Sequence, residues 1–226
     1  MHSTFTLVLE TSTPHASLAL VGPDGFMEQR EFCSDRNHNA MLFAPLQDLL
    51  ADHGRPTISL VLVGSGPGSY SGTRVGIAAA QGVAIAMGCP AVAVPSILAV
   101  PSARDGAACL AIGDARRGSF WTAMMENHSL TKQPALRDIA ELTTLVSNAN
   151  NAGIPVVSFE EPNRFPLPAE LSEMVLLEFP DAARLWNVWQ RTDEKTRLKW
   201  SAEIPQPLYL KPPHITPGKR QSLMRS

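Results

Sequence analysis

Aromatic residues are scarce in this chain, at 6% of 226 residues, and charged ones make up only 18%. The 19 Lys and Arg nearly balance the 21 Asp and Glu, a net charge of -2. No global field therefore draws the chain to nucleic acid, and too few rings accompany Arg116, Arg117 and the basic tail to build a base-stacking platform. Cysteine is equally sparse. Cys33, Cys89 and Cys109 are odd in number and widely spaced, which excludes a disulfide scaffold and a Cys-x-x-Cys metal knuckle and sets a reduced, cytoplasmic protein as the expectation. The opening MHSTFTLVLETS has no basic leader, and its apolar run stops at Glu10, so secretion is not expected.

A further absence is charge between Val75 and Val100. A membrane span of roughly twenty residues is the first thought. Gln81, Gly82, Gly88, Pro90 and Pro95 interrupt the run, and a buried helix followed by a buried strand accounts for it instead. Histidine spacing is uninformative as well: His2, His15, His38, His53, His128 and His214 show no mutual interval of four, so no metal site is expected.

What is present is a regular order of elements. Thr6–Glu10, Ser17–Val21 and Phe26–Cys33 read as an antiparallel meander, with Gly22-Pro23-Asp24-Gly25 as a turn. A helix is predicted from about Asn37 to Asp52, with Ser34 or Asp35 as cap and Pro45 as a bend or a late start. Ile58–Val63, a glycine loop, a helix over Thr73–Met87 and a strand over Ala91–Val94 follow. Three strands, helix, strand, helix, strand is one half of an actin-like or ribonuclease-H-like α/β plan. After Pro101–Gly106 the meander restarts at Ala107–Asp114 and Ser119–Glu126 around the Asp-Ala-Arg-Arg-Gly turn. Helices over about Leu136–Ala149 and Asp181–Arg191 are separated by a strand at Pro155–Phe159 and a loop with Pro162, Pro166 and Pro168. Two lobes, 1–103 and a reduced 104–226, are expected.

Gly64-Ser65-Gly66-Pro67-Gly68-Ser69-Tyr70-Ser71-Gly72 sits between strand and helix, where backbone amides favour anions. Neither Gly64 nor Gly66 starts a Gly-x-Gly-x-x-Gly fingerprint, no Gly-Lys-Ser or Gly-Lys-Thr exists, and Gly66 stands where a nucleophile elbow needs serine. Phosphate binding and tight helix-to-strand packing both remain open. Along the following helix Gly72, Gly76, Ala80, Ala84 and Gly88 form a ridge of small residues at intervals of four, against which a neighbouring helix or another subunit can pack closely. From Ile204 onward no acidic residue appears. That tail reads as solvated, with contact to RNA or a partner as the alternative.

Leu7–Thr13, Gly66–Gly76, Asp114–Gly118 and Pro207-Leu208-Tyr209-Leu210 together resemble the TsaB (YeaZ) family of tRNA threonylcarbamoyladenosine biosynthesis. The resemblance implies an actin-like (ASKHA) fold and a non-catalytic scaffold without cofactor, which pairs with the catalytic homologue TsaD through helices of the first lobe. It further implies a TsaE-like ATPase reached through that complex, a homodimer when the partner is absent, only indirect contact with tRNA and no membrane. On this chain the implied interface falls on Met41, Leu42, Arg74, Gly76, Ile77, Ala80 and Ala84. An anion or nucleotide contact falls on Ser12, Thr13, Gly66, Gly68 and Ser69. Where the catalytic relative holds metal with two histidines, the matching positions are Ser96 and Val100, which do not replace imidazoles. Glu10 stands where actin-like ATPases place aspartate, and past Gly118 only Gly153 and Gly218 remain to approach a phosphate. The alternative class is an enzyme, either an ASKHA phosphotransferase using Ser12–His15 and the glycine loop or a glycoprotease-like peptidase. A direct RNA-binding module is the third.

Overall fold

Central strands of this protein are largely apolar because both of their faces are covered. A computed structural model of the protein describes residues 4–33, 38–161, 165 and 167–208. β1 (Phe5–Glu10), β2 (His15–Val21) and β3 (Met27–Cys33) form the antiparallel meander, α1 (His38–Asp52) follows, and β4 (Ile58–Gly64) joins β1 in parallel. α2 (Tyr70–Met87) then leads to β5 (Ala91–Val94), parallel to β4, so the first sheet has the order β3-β2-β1-β4-β5.

The second sheet repeats the start of this plan. β6 (Cys109–Asp114) pairs antiparallel with β7 (Phe120–Glu126), which carries the short β8 (Ser129–Leu130) and β9 (Ala135–Arg137). α3 (Ile139–Asn151) precedes β10 (Val156–Ser158), parallel to β6; α4 (Ala169–Ser172) precedes the edge strand β11 (Val175–Leu177). α5 (Ala182–Arg191) and α6 (Glu194–Ala202) close the described chain. The architecture is α/β of the actin-like (ASKHA, ribonuclease-H-like) kind, two mixed sheets flanked by helices. No helix among the described residues is long and apolar enough to cross a membrane.

Alternation along the strands divides the interior into three clusters. Leu7 and Leu9 of β1 and Val61 and Val63 of β4 face α1 and α2, meeting Leu42, Leu46, Ile77 and Ala80. Val8 and Leu62, one step out of phase, point the other way, toward Leu185 and Val188 of α5 and toward Ala111, Trp121 and Val157 of the second sheet. Leu110 and Ile112 of β6 pack on Leu142 and Val146 of α3. The middle cluster belongs to both sheets: α5 lies against β1 and β4, and α6 lies along β5, although both lie far along the chain from the first sheet. Cys109 is sealed inside it, and burial pushes its thiol up to about 12. The three cysteines are free.

One expectation changes, one narrows and one element is new. The helix expected from Leu136 starts at Ile139, because Leu136 pairs with Trp121 in β9 and Asp138 then caps α3. Asp138 accepts from the Glu141 amide at 2.9 Å and Glu141 accepts in return from the Asp138 amide at 3.2 Å, a capping box. Asp138→Ala is expected to lower stability by about 1 kcal/mol in urea denaturation, with an unchanged denaturant slope. Pro45 lies inside α1 rather than at its start. α6 was invisible in the sequence because Glu194–Ala202 has no apolar period and no buried residue. Ser34, Asp35, Pro162, Pro166 and everything from Tyr209 onward, including Leu210 and the basic tail, lie outside the described residues.

Candidate functional site

The glycine loop is tied to its surroundings on three sides, each through a backbone group. Ser65 donates its amide to the Val94 carbonyl at 2.8 Å, and Ser69 donates to the Ser12 carbonyl at 2.6 Å. Gly66 and Ser96 pair reciprocally: the Gly66 amide donates to Ser96 Oγ and the Ser96 amide to the Gly66 carbonyl, both at 2.9 Å. Ser69 Oγ accepts from the Gly72 amide at 3.2 Å and so caps α2. Thr11 Oγ1 donates to the Gly72 carbonyl at 2.9 Å. A Cβ on Gly76 would strike that same Thr11 hydroxyl, so the small ridge lets α2 sit directly on the end of β1. The amides of Gly66 and Ser69 are therefore committed to holding the loop, which decides the open question for these two groups in favour of packing.

Ser12, Thr13, Gly68 and Ser69 line one cleft of about 800 Å³, whose opposite wall carries Trp121 and Glu160; Gly66 lies buried beneath. The Thr13 hydroxyl donates to the His15 carbonyl at 3.1 Å. Across the cleft Glu160 accepts from the Asp114 amide at 2.8 Å, and burial raises its carboxyl above the usual range. Arg116, in the turn expected between β6 and β7, pairs with Asp114 at 3.1 Å. The Pro205–Leu208 segment closes one end: Leu208 donates its amide to the Ser65 carbonyl at 2.8 Å, and Gln81 donates to the Pro205 carbonyl at 3.3 Å.

Below the cleft Glu10 is completely buried. Its Oε1 accepts from the Ser12 amide at 2.7 Å, whereas Oε2 has no partner with hydrogen-bond geometry. Burial pushes its pKa upward, against the opposing effects of Ser12 and of the Ser96 side chain. Ser96, at one position matching a metal histidine of the catalytic relative, is bound to the loop, and Val100 is in the core. His15 stacks on Phe179 with ring centroids 4.0 Å apart, and His53 pairs with Glu28 at 2.8 Å. No group of three His, Cys, Asp or Glu residues is placed to hold a metal ion among the described residues.

The helix residues separate into two sets. Leu42, Ile77, Ala80 and Ala84 lie in the chain's own core and Gly76 against Thr11. Met41 is exposed, and the Arg74 guanidinium lies over the Tyr70 ring, 3.4 Å from its centroid. Sequence reasoning missed Phe43 on α1 and Ile85 and Met87 on α2, all exposed, Ile85 by 82%. The signal was there in the run without charge, but it was read as burial. The structure corrects this: Ala78, Gly82, Ile85, Ala86 and Met87 are exposed, leaving the part of α2 after Arg74 with an uncharged surface in water.

Residues 32–178 match the family model described as TsaD: tRNA N6-adenosine threonylcarbamoyltransferase. The chain is 32% identical over 123 residues to the tRNA threonylcarbamoyladenosine biosynthesis protein TsaB of Escherichia coli (strain K12), covering 52% of this chain and 53% of that protein. It is 29% identical over 124 residues to TsaB of Bacillus subtilis (strain 168), covering 53% and 54%. It thus spans about half the length of the curated relatives it matches. A crystal structure of a Pseudomonas aeruginosa protein with similarity to peptidase YeaZ shares the fold, with 24% identity, a TM-score of 0.67, and coverage of 92% of this chain and 100% of that one. With its family model matched over residues 32–178 and its relatives named TsaB and YeaZ, the chain belongs to the TsaD family and, within it, to the TsaB (YeaZ) group.

Proposed function

We propose that this protein is a non-catalytic scaffold in the biosynthesis of threonylcarbamoyladenosine in tRNA, binding and positioning a TsaD-like catalytic subunit for threonylcarbamoyl transfer. The observation that carries the reading is the outer face of α2, where Ala78, Gly82, Ile85 and Ala86 present no charge to solvent, with Met87 exposed at the helix end. Surface helices normally carry charge on the side away from the core, and an apolar exposed face marks a place where another protein sits. Met41, Phe43 and Arg74 extend that surface, with Leu42, Gly76, Ile77, Ala80 and Ala84 packed beneath it as its support. The lobes divide at 103/104, the first bearing this surface and the second bracing it through α5 and α6.

In this reading a TsaE-like ATPase is reached through the assembly, tRNA is touched only indirectly, and the free chain self-associates in the cytoplasm through the same face. Any anion contact at Ser12, Thr13, Gly66, Gly68 and Ser69 relies on side chains and the Gly68 amide, since the Gly66 and Ser69 amides are occupied. The lobes are also pinned. The Ala182 amide donates to Ser17 Oγ and the Ala183 amide to Gln29 Oε1, each at 2.8 Å, which opposes the opening and closing that an actin-like phosphotransferase uses.

Size-exclusion chromatography with light scattering, on the chain alone and mixed with the TsaD-like protein of its own organism, tests the reading. A new species with the mass of a complex is expected. Absence of a complex, together with ATP turnover by the chain alone that Glu10→Ala abolishes, would overturn it in favour of the phosphotransferase.

A further inference from the structure

Glu10 is the one fully buried carboxyl group among the described residues, and nothing in the proposed scaffold role uses it. Its Oε1 is occupied by the Ser12 amide at 2.7 Å, while Oε2 and Ser96 Oγ lie together over the α-carbon of Gly64, where a Cβ would collide with the carboxyl oxygen and come within 2.5 Å of the hydroxyl. No cation faces it. From α5 comes Asp181, a like charge, itself paired with Arg184. β2 brings His15, stacked on Phe179, and α2 brings Arg74, which lies over Tyr70. β4, β5 and the turn at Ser96–Ala99 carry no ionisable side chain.

A carboxylate in such a place has lost its hydration and finds no counter-charge among the described residues, and the Ser12 and Ser96 hydroxyls that favour its charged form offset the burial only in part. For the uncharged acid the same Ser96 hydroxyl is an acceptor. We propose that Glu10 is a proton-held latch of the glycine loop: as the neutral acid it donates from Oε2 to Ser96 Oγ while Oε1 accepts from the Ser12 amide. Ser96 holds Gly66 at both its amide and its carbonyl, and the Ser12 carbonyl holds the Ser69 amide. One proton thus completes a connected network from the β1–β2 turn through the loop to the cap of α2. Loss of that proton puts an unpaired charge into the network and loosens it. Glu10 is here a positioning residue, one methylene longer than aspartate and so able to reach Gly64 and Ser96.

The sign of the pH dependence follows. The folded chain keeps a proton that the unfolded chain releases around the ordinary glutamate value of 4.5, so this contribution falls as pH rises through the raised folded value.

Two measurements test the latch. In the wild-type chain, NMR of the Glu10 carboxyl carbon is expected to report the protonated acid well above the ordinary glutamate range. A carboxyl that titrates at its ordinary value overturns the proposal without any variant. Amide exchange at Gly66, Ser69 and Gly72, corrected for intrinsic rates, is expected to lose roughly tenfold in protection as pH rises through the Glu10 titration that the carboxyl carbon reports. Glu10→Gln, which keeps a donor toward Ser96 and an acceptor toward Ser12, is expected to abolish that dependence. Glu160→Gln, which removes the carboxyl raised by burial across the cleft, is expected to leave it intact. The same loss of protection in Glu10→Gln as in wild type would overturn the latch and leave the scaffold reading untouched.

Discussion

Gly68→Ala is expected to cost about 2–4 kcal/mol. The new Cβ would be driven into the Ser12 carbonyl oxygen, within 3.0 Å of the Ser12 carbonyl carbon and 3.2 Å of its Cβ. Two of those three atoms are backbone, so no rotamer change relieves the contact. The only relief is to part the loop from the β1–β2 turn, which breaks the 2.6 Å bond between the Ser69 amide and the Ser12 carbonyl. Residue 68 also has φ of +158°, a conformation that L side chains rarely adopt. A drop in melting temperature of roughly 5–12 °C follows for a chain of this size, read by calorimetry. Gly82→Ala is the control with the opposite sign. It lies exposed within α2 with nothing within 4 Å of the added carbon, and the substitution is expected to stabilise by about 0.5–1 kcal/mol. Equal destabilisation by both would refute the steric account of the loop.

Ile85→Lys is expected to weaken the complex with a TsaD-like subunit at least about 30-fold while leaving melting unchanged within about 0.5 kcal/mol. Ile85 is 82% exposed, so the chain's own core does not use it, and lysine near the C-terminal end of α2 suits the helix dipole. A buried position cannot make this distinction. Ala80 is completely buried, and Ala80→Arg would remove the complex by unfolding the chain. Titration calorimetry of wild type and Ile85→Lys decides the matter: binding within about threefold of wild type would move the interface away from this face of α2.

Much of the framework was legible in the residues because strands and helices advertise their periods. β5 matches its predicted limits and β1 and β4 fall within one residue of theirs, since continuous apolar runs bounded by Glu10, Gly64 and Pro90 leave little choice. α6 and β11 were missed for the opposite reason: Glu194–Ala202 alternates charge and apolarity without a period, and β11 is three residues at an edge. Leu136 was misplaced because an isolated apolar residue before a helix cap looks the same whether it ends a strand or begins a turn of helix.

The candidate site divides along the same line. Local sequence determined that Gly64–Gly72 would be a tight junction between strand and helix, that α2 would carry a small-residue ridge, and that no metal or nucleotide motif is present, all properties of spacing within one segment. Which side of α2 meets water was not such a property. Val75–Met87 has no charge on either face, so periodicity could not tell the ridge that seats on Thr11 and β1 from the face left outside; packing against β1, β4 and α1 decided it. The fate of Glu10 was equally beyond the sequence. Its surroundings include Ser96, more than eighty positions away, and Asp181 at the cap of α5, whose like charge acts on it. Only the tertiary fold brings those residues around one carboxyl group and thereby settles the free energy of its charge.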